Sequence, residues 1–151
     1  MNFLLNQNAT PTDLGEINPN TTVLQWLRSN DLVGSKEGCA SGDCGACTAV
    51  IGELVVENKK QVIKYKSINT CIALANSLVG KHLITIEGLK EGKDLHPVQQ
   101  AMVDESGSQC GFCTPGFVMS LFALYHNETK INLAKINDAL SGNLCRCTGY
   151  K

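Results

Sequence analysis

The chain has 151 residues, a formal net charge of −1 and eight cysteines. A charge so close to neutral, with Lys and Arg scattered along the chain, excludes the basic footprint of a nucleic-acid-binding or membrane-surface protein. No apolar run approaches the roughly 20 residues that span a bilayer, and the N-terminus lacks the basic region of a signal peptide. We therefore predict a soluble, cytoplasmic protein. Its cysteines should serve metal binding or redox chemistry, since disulfides are rare in a reducing cytosol.

The first half of the sequence predicts short strands around one helix. The strand-like runs occupy residues 3–5, 49–51, 54–56, 62–65 and 83–86. Val23, Leu24 and Leu27 lie on one face of a helix that follows polar capping residues and that Gly34 ends. This mixture predicts a small α+β domain over residues 1–87. The charged, glycine-containing stretch 88–94 is the candidate linker.

Residues 95–151 show a helical pattern instead. Pro97 suits the first position of one helix, and Pro115 opens a second helix with a broad apolar face. Asn132 is a candidate cap for a third helix, and a short helical piece is expected at 144–148. Each half holds four cysteines, but their spacing and their predicted secondary structure differ. The two halves are therefore not a duplicated unit.

The first cysteine set has the spacing C-x4-C-x2-C, with a fourth cysteine 24 residues later. Its members are Cys39, Cys44, Cys47 and Cys71. This spacing is typical of plant-type [2Fe–2S] ferredoxins, in which three thiolates come from one loop and the fourth from a distant element. Gly38, Gly42 and Gly45 allow backbone amides to approach the sulfurs, which raises the reduction potential. A zinc site more often combines two C-x2-C pairs, so the pattern favours an iron–sulfur cluster.

The second cysteine set combines C-x2-C with C-x-C, 31 residues apart. Its members are Cys110, Cys113, Cys145 and Cys147. On spacing alone, a zinc site with four thiolates remains an alternative to a second cluster. The positive end of a helix dipole just after the first pair favours an anionic cluster. Gln109, Thr114 and Thr148 are candidates either for hydrogen bonds to sulfur or a partner, or for helix capping. Arg146 could offset the negative charge of a cluster.

Three stretches resemble the iron–sulfur part of the molybdenum hydroxylases, in the same order and over nearly the whole chain. They are Lys36 to Thr48, Gly107 to Gly116 and Asn143 to Tyr150. Within that family, the residues around Gln109 and those at 117–120 are most similar to xanthine dehydrogenases, and the opening residues to their bacterial small subunit. Aldehyde oxidases and the small subunits of carbon monoxide dehydrogenases are close relatives.

The resemblance implies a β-grasp ferredoxin-like domain followed by a small four-helix bundle, with one [2Fe–2S] cluster in each. It implies that electrons leave a molybdenum–pterin centre, pass the bundle cluster and then the ferredoxin-like cluster, and reach FAD. In that pattern Gln109 and Cys147 contact the pterin. The implied partners are a molybdenum-binding large subunit and an FAD domain or subunit. No residue of this chain is expected to be catalytic.

The C-terminus and the three histidines carry two further expectations. The family sequence continues beyond the Gly-Tyr that precedes Lys151, so a fragment, or a subunit whose flavin domain lies elsewhere, is expected. His82, His96 and His126 lack ligand spacing to a second histidine and are expected to be solvated or capping residues. A zinc-stabilised binding module and a stand-alone ferredoxin are the competing functions, and the second cysteine set argues against the ferredoxin.

Overall fold

A computed structural model describes residues 1–8 and 10–148. The N-terminal half forms a mixed five-stranded sheet of order β2-β1-β5-β3-β4. Its strands are β1 (Asn2–Leu5), β2 (Thr12–Asp13), β3 (Thr48–Glu57), β4 (Lys60–Asn69) and β5 (His82–Ile84). β1 runs parallel to β5, while the other neighbouring strands pair antiparallel. Together with the helices, this sheet confirms the predicted α+β class.

The longest strand pair replaces two predicted short strands. Residues 49–51 and 54–56 belong to the single strand β3, because Gly52 and Glu53 between them continue the ladder opposite Tyr65 and Lys64. A glycine in a strand weakens it but does not interrupt its hydrogen bonds. The ladder with β4 therefore runs over the full length of both strands.

One helix, α1 (Val23–Ser29), packs on this sheet. It begins with a capping box, in which Thr22 and Gln25 satisfy each other's backbone amides. The buried face of α1 includes Trp26, whose ring meets that of Phe3 edge to face at 5.1 Å. The helix ends earlier than the predicted stop at Gly34. Its core neighbours all come from the first half of the chain.

The C-terminal half contributes three α-helices among its described residues. They are α2 (Pro97–Asp104), α3 (Thr114–Asn127) and α4 (Leu133–Leu140). The predicted cap Asn132 accepts the Lys135 amide and starts α4. The expected helical piece at 144–148 is wrong: this segment is irregular, because the Leu144 amide donates to the Cys44 carbonyl instead of an intrahelical acceptor. The fourth helix of the predicted bundle stays a prediction.

The two halves share a buried apolar cluster. Val50 and Ile84 of the sheet pack with Met119 and Phe122 of α3, and Leu89 from the predicted linker joins them. Burial of such side chains contributes on the order of 1.5–3 kcal/mol each. This cluster places α3 directly against β3, which brings the two cysteine sets to the same end of the molecule. No helix of the described residues is long and apolar enough to cross a membrane.

Candidate metal centres

Backbone amides surround the first cysteine set, on the loop between α1 and β3. The amides of Ser41, Asp43 and Cys44 lie 3.4, 3.2 and 3.3 Å from Cys39 Sγ and donate to it. The Cys39 amide donates in turn to Cys44 Sγ at 3.4 Å. Contact with Ser41 and with these amides lowers the pKa of the Cys39 thiol to about 6. The expectation that loop amides approach the sulfurs is confirmed, and such donors favour the thiolate that binds metal.

Glycines make this loop possible in two ways. Gly42 and Gly45 have φ values of +84° and +69°, which residues with a side chain rarely adopt. Gly38 has an ordinary φ, but a Cβ built on it would lie 2.7 Å from Cys44 Sγ. The sulfur therefore occupies the space that any side chain at position 38 would need.

The fourth cysteine of the set reaches the loop from the end of β4. Asn69 Nδ2 donates to the Gly42 carbonyl at 2.6 Å, and Thr70 Oγ1 donates to the Cys47 carbonyl at 2.7 Å. Cys71 is thereby held against Cys47. Burial and the neighbouring Cys47 thiol raise the pKa of Cys71 to about 12. The set is thus organised as two pairs, Cys39 with Cys44 and Cys47 with Cys71.

The second set lies between the start of α3 and the segment after α4. Cys113 is the N-cap of α3, and Gly111 before it has a φ of +83°. Cys113 lies against Cys145, and Cys110 lies against Cys147. Burial and Cys145 raise the pKa of Cys113 to about 11. Hydrogen bonds from the hydroxyl and amide of Thr148 lower that of Cys145 to about 7. This set also consists of two pairs.

The pairing bears on which metal group the residues fit. Two pairs of thiols suit a cluster with two metal atoms, each held by one pair. The donor sets therefore fit two [2Fe–2S] clusters.

The polar residues predicted near the second set have different surroundings. Thr148 contacts Cys145, which is the sulfur-bonding alternative rather than helix capping, whereas the Thr114 hydroxyl lies 2.7 Å from that of Ser108. Gln109 and Arg146 are exposed. Cys147 is exposed as well and touches Cys110, the neighbour of Gln109 in the chain. Gln109 and Cys147 are thus both neighbours of Cys110, Gln109 in the chain and Cys147 in space.

The sequence did not predict several residues whose contacts form only in the folded chain. His96 and His126 were expected to be isolated, but their Nε2 atoms lie 3.3 Å apart. His96 also caps α2 in a box with Gln99, as the expectation of a capping histidine allowed. Asn143 and Ser120 are buried between the two cysteine sets and hydrogen-bond to each other. Their separation of 23 residues gives no local signal.

Two family models match the sequence. One, described as a 2Fe-2S iron-sulfur cluster binding domain, matches residues 11–76. The other, described as a [2Fe-2S] binding domain, matches residues 85–151. Each half therefore matches a domain family that binds a [2Fe–2S] cluster, and the chain carries two such domains.

Curated relatives are much longer than this chain. Xanthine dehydrogenase from Emericella nidulans is 47% identical over 144 residues, which are 95% of this chain and 10% of the relative. Aldehyde oxidase 1 from Bos taurus is 45% identical over 137 residues, or 89% of this chain and 10% of the relative. The chain thus spans about a tenth of the length of these relatives.

Solved structures agree over the whole chain. Quinoline 2-oxidoreductase from Pseudomonas putida 86 superposes with a TM-score of 0.78 at 27% identity, covering 100% of this chain and 85% of that one. The aldehyde oxidoreductase from Desulfovibrio gigas gives a TM-score of 0.81 at 30% identity, covering 99% of this chain and 16% of that one. The fold is therefore similar to the iron–sulfur portions of these oxidoreductases.

Proposed function

The chain belongs to the iron–sulfur region of the molybdenum hydroxylases, and from this premise we propose that it relays electrons within an enzyme of the xanthine dehydrogenase type. Electrons come from a molybdenum–pterin centre, pass the second cysteine set and then the first, and leave towards FAD. A [2Fe–2S] cluster held by four thiolates supplies a one-electron acceptor and donor at each set. The observation that carries the proposal is the arrangement of all eight cysteines as two pairs in each of two adjoining sets.

The first set would hold its cluster with four thiolates and stabilise it with loop amides. The ligands are Cys39, Cys44, Cys47 and Cys71. The amides that donate to Cys39 and Cys44 also place positive dipole ends beside an anionic group, which raises its reduction potential. A higher potential here than at the second set would draw electrons in the proposed direction.

The second set would hold its cluster between the start of α3 and the irregular segment after α4. The ligands are Cys110, Cys113, Cys145 and Cys147, with Cys113 at the positive end of the α3 dipole. The exposed Arg146 adds positive charge between two ligands. Gln109 and Cys147 form the edge that faces the pterin. Gln109 offers two donors and an acceptor to the rim of a heterocycle.

The proposed domains follow the change in secondary structure. A β-grasp ferredoxin-like domain occupies residues 1–87, a linker 88–94, and a helical domain 95–151 that forms a four-helix bundle. The partners are a molybdenum-binding large subunit and an FAD domain or subunit. Eight free cysteines suit a reducing compartment, which supports the cytoplasm as location.

Two substrate classes are candidates for the assembled enzyme. The similarity to a xanthine dehydrogenase (47% identity) barely exceeds that to an aldehyde oxidase (45%). An aldehyde-oxidising enzyme is therefore the second candidate. This chain supplies the electron relay in either case, because substrate binding belongs to the molybdenum partner. Activity of the assembled enzyme on xanthine and on an aldehyde distinguishes the two.

Metal analysis tests the proposal directly. The purified chain should contain about four irons and about four acid-labile sulfides, from two [2Fe–2S] units. It should be red-brown, whereas a zinc protein is colourless. Two irons with one zinc would overturn the assignment of the second set alone. The uncomplexed chain should not oxidise xanthine, and verified turnover by it would overturn the relay role.

A further inference from the structure

The two cysteine sets touch each other through the backbone. The Leu144 amide donates to the Cys44 carbonyl at 3.0 Å. Cys44 belongs to the first set, and Leu144 directly precedes Cys145 of the second set. One hydrogen bond and a short run of covalent bonds therefore connect a sulfur of one set with a sulfur of the other.

A buried asparagine lies beside this hydrogen bond and uses both ends of its amide. Asn143 is 8% exposed, and its Oδ1 accepts the Ser120 hydroxyl at 2.7 Å. Its Nδ2 lies 3.2 Å from the Gly45 carbonyl and 3.4 Å from Thr48 Oγ1, and donates to both. Ser120 and Thr48 are each 4% exposed. Buried polar groups of this kind are costly unless paired, so the network specifies one arrangement of the two loops.

The backbone segments around Asn143 are packed too closely to accept additional side-chain atoms at two neighbouring glycines. A Cβ on Gly116 of α3 would lie 2.1 Å from the Gly45 carbonyl oxygen. A Cβ on Gly45 would lie 2.3 Å from the Gly142 carbonyl oxygen. The helix, the first cysteine loop and the segment before Cys145 thus meet backbone to backbone. Asn143 is the side chain that joins all three.

We infer that Asn143 is a positioning residue for electron exchange between the two sets: it holds the Leu144 amide on the Cys44 carbonyl, and this hydrogen bond is the direct route between them. The inference rests on the proposed relay function. In each exchange one electron leaves the second set, which is oxidised, and enters the first set, which is reduced. No bond is made or broken, and no proton is transferred. The rate therefore depends on how closely the two sets are coupled.

An asparagine at the other end of the same helix, the exposed Asn127, provides a control. Asn127 Oδ1 accepts the Tyr65 amide at 3.0 Å, and its Nδ2 donates to the Tyr65 carbonyl at 2.6 Å. Asn127 therefore also joins α3 to the sheet. At 1.5 Å rise per residue, it lies roughly 10 Å along the helix from Ser120. Asn143→Leu and Asn127→Leu each remove an asparagine that links the two halves, and only the first lies between the cysteine sets.

The experiment compares these variants with the wild-type protein, both clusters assembled. Iron and sulfide content shows whether both sites are filled. Spin–spin splitting between the two reduced clusters, and the rate of intramolecular exchange after photoreduction, report their coupling. Asn143→Leu should fill both sites, change the splitting and slow exchange severalfold, because the hydrogen bond that connects the two sets is no longer held in place. Asn127→Leu should lower stability and leave both coupling measurements at wild-type values.

Several results would overturn the inference. Wild-type splitting and exchange in Asn143→Leu would do so, and so would equal slowing in Asn127→Leu, which would indicate general loosening. If Asn143→Leu does not fold, Ser120→Ala decides: it removes one hydrogen bond to Asn143 and should slow exchange a few-fold, and an unchanged rate would refute the inference. A wild-type protein without two clusters would contradict the proposed function instead, so the two failures are distinguishable.

Discussion

The two cysteine sets reach a similar pairing by different means. In the first set, Cys39 and Cys44 lie on one loop, and the amides that contact their sulfurs belong to that same loop. In the second set, each pair joins distant segments: Cys110 meets Cys147, and Cys113 meets Cys145. The first set therefore combines one local pair with a second pair that depends on Cys71 at the end of β4. The second set exists only when α3 packs against the chain after α4. Changes in core packing should therefore release iron from the two sets to different extents.

The largest effect is expected from truncating the core beneath the second set. Met119 is fully buried in the cluster shared by α3 and the sheet. Met119→Ala should destabilise the protein by about 2–5 kcal/mol, because it removes buried methylenes and leaves a cavity. Iron should be lost first from the second set, since Cys113 lies at the start of the loosened helix. Chemical denaturation with iron analysis and cluster-specific EPR measures both effects.

Truncating a side chain in the core of the first half should have the opposite selectivity. Leu27 of α1 is also fully buried, in the cluster built from the first half alone. Leu27→Ala should cost a similar amount, about 2–5 kcal/mol, and release iron first from the first set. Loss of iron first from the same set in both variants would contradict the expectation that each core supports its own set.

A smaller effect is expected from adding one methyl group to the first loop. Gly38→Ala would place its Cβ 2.7 Å from Cys44 Sγ, so the loop must shift. Overpacking of this kind costs about 1–3 kcal/mol. The first set should bind less iron, with the second set filled normally. Gly111→Ala is the control, because a Cβ there meets nothing closer than Ser108 Oγ at 4.0 Å, although its φ of +83° adds some strain. Full iron occupancy of the first set in Gly38→Ala would refute the expectation.

A substitution at Gln109 should leave stability unchanged and affect only the entry of electrons from the molybdenum centre. Gln109 is exposed beside the second set and is not a proposed ligand. Gln109→Ala should keep both clusters and slow reduction by the molybdenum centre in the assembled enzyme, because the proposed contact with the pterin would be lost. Asp43→Ala, on the exposed face of the first loop, is the matched control. If Asp43→Ala slowed this step and Gln109→Ala did not, the proposed order of the two sets would be wrong.

The smallest effect is expected in the pH dependence of stability, through two histidines between the two halves. Burial and then the charge of His126 lower the pKa of His96, against the opposing pull of Glu91, and burial lowers the pKa of His126. Both pKa values lie below 6.5 in the folded protein, so the unfolded chain binds more protons as the pH falls. The stabilisation is complete above about pH 6.5 and is lost as the pH falls through the folded pKa values.

Two variants test this dependence on pH. Between about pH 7.5 and about pH 5.5, the melting temperature of His126→Gln should fall less than that of the wild-type protein. Combining it with His96→Asn should flatten the curve further, because asparagine retains the capping role without the charge. A double variant with the wild-type pH dependence would show that other groups are responsible.

The sequence by itself determined the α+β class, the helix starts near Val23, Pro97, Pro115 and Asn132, and the two groups of four cysteines. These features depend on spacing, on capping residues and on the alternation of apolar side chains, which are local properties. The family resemblance rested on motifs of the same kind. The predicted ends of helices and strands were less accurate. Gly52, for example, lies within β3 because its backbone pairs with β4, although glycine has a low propensity for strands.

Only the tertiary structure decided how the cysteines pair and how the two sets meet. The pairs Cys113–Cys145 and Cys110–Cys147, like the network around Asn143, join residues that lie far apart in the chain. The segment at 144–148 shows the reason most clearly. Its local sequence allowed a helix, but the Leu144 amide found its partner in the carbonyl of Cys44. A hydrogen bond between distant segments has no periodicity in sequence, and it forms only after α3 has packed against β3.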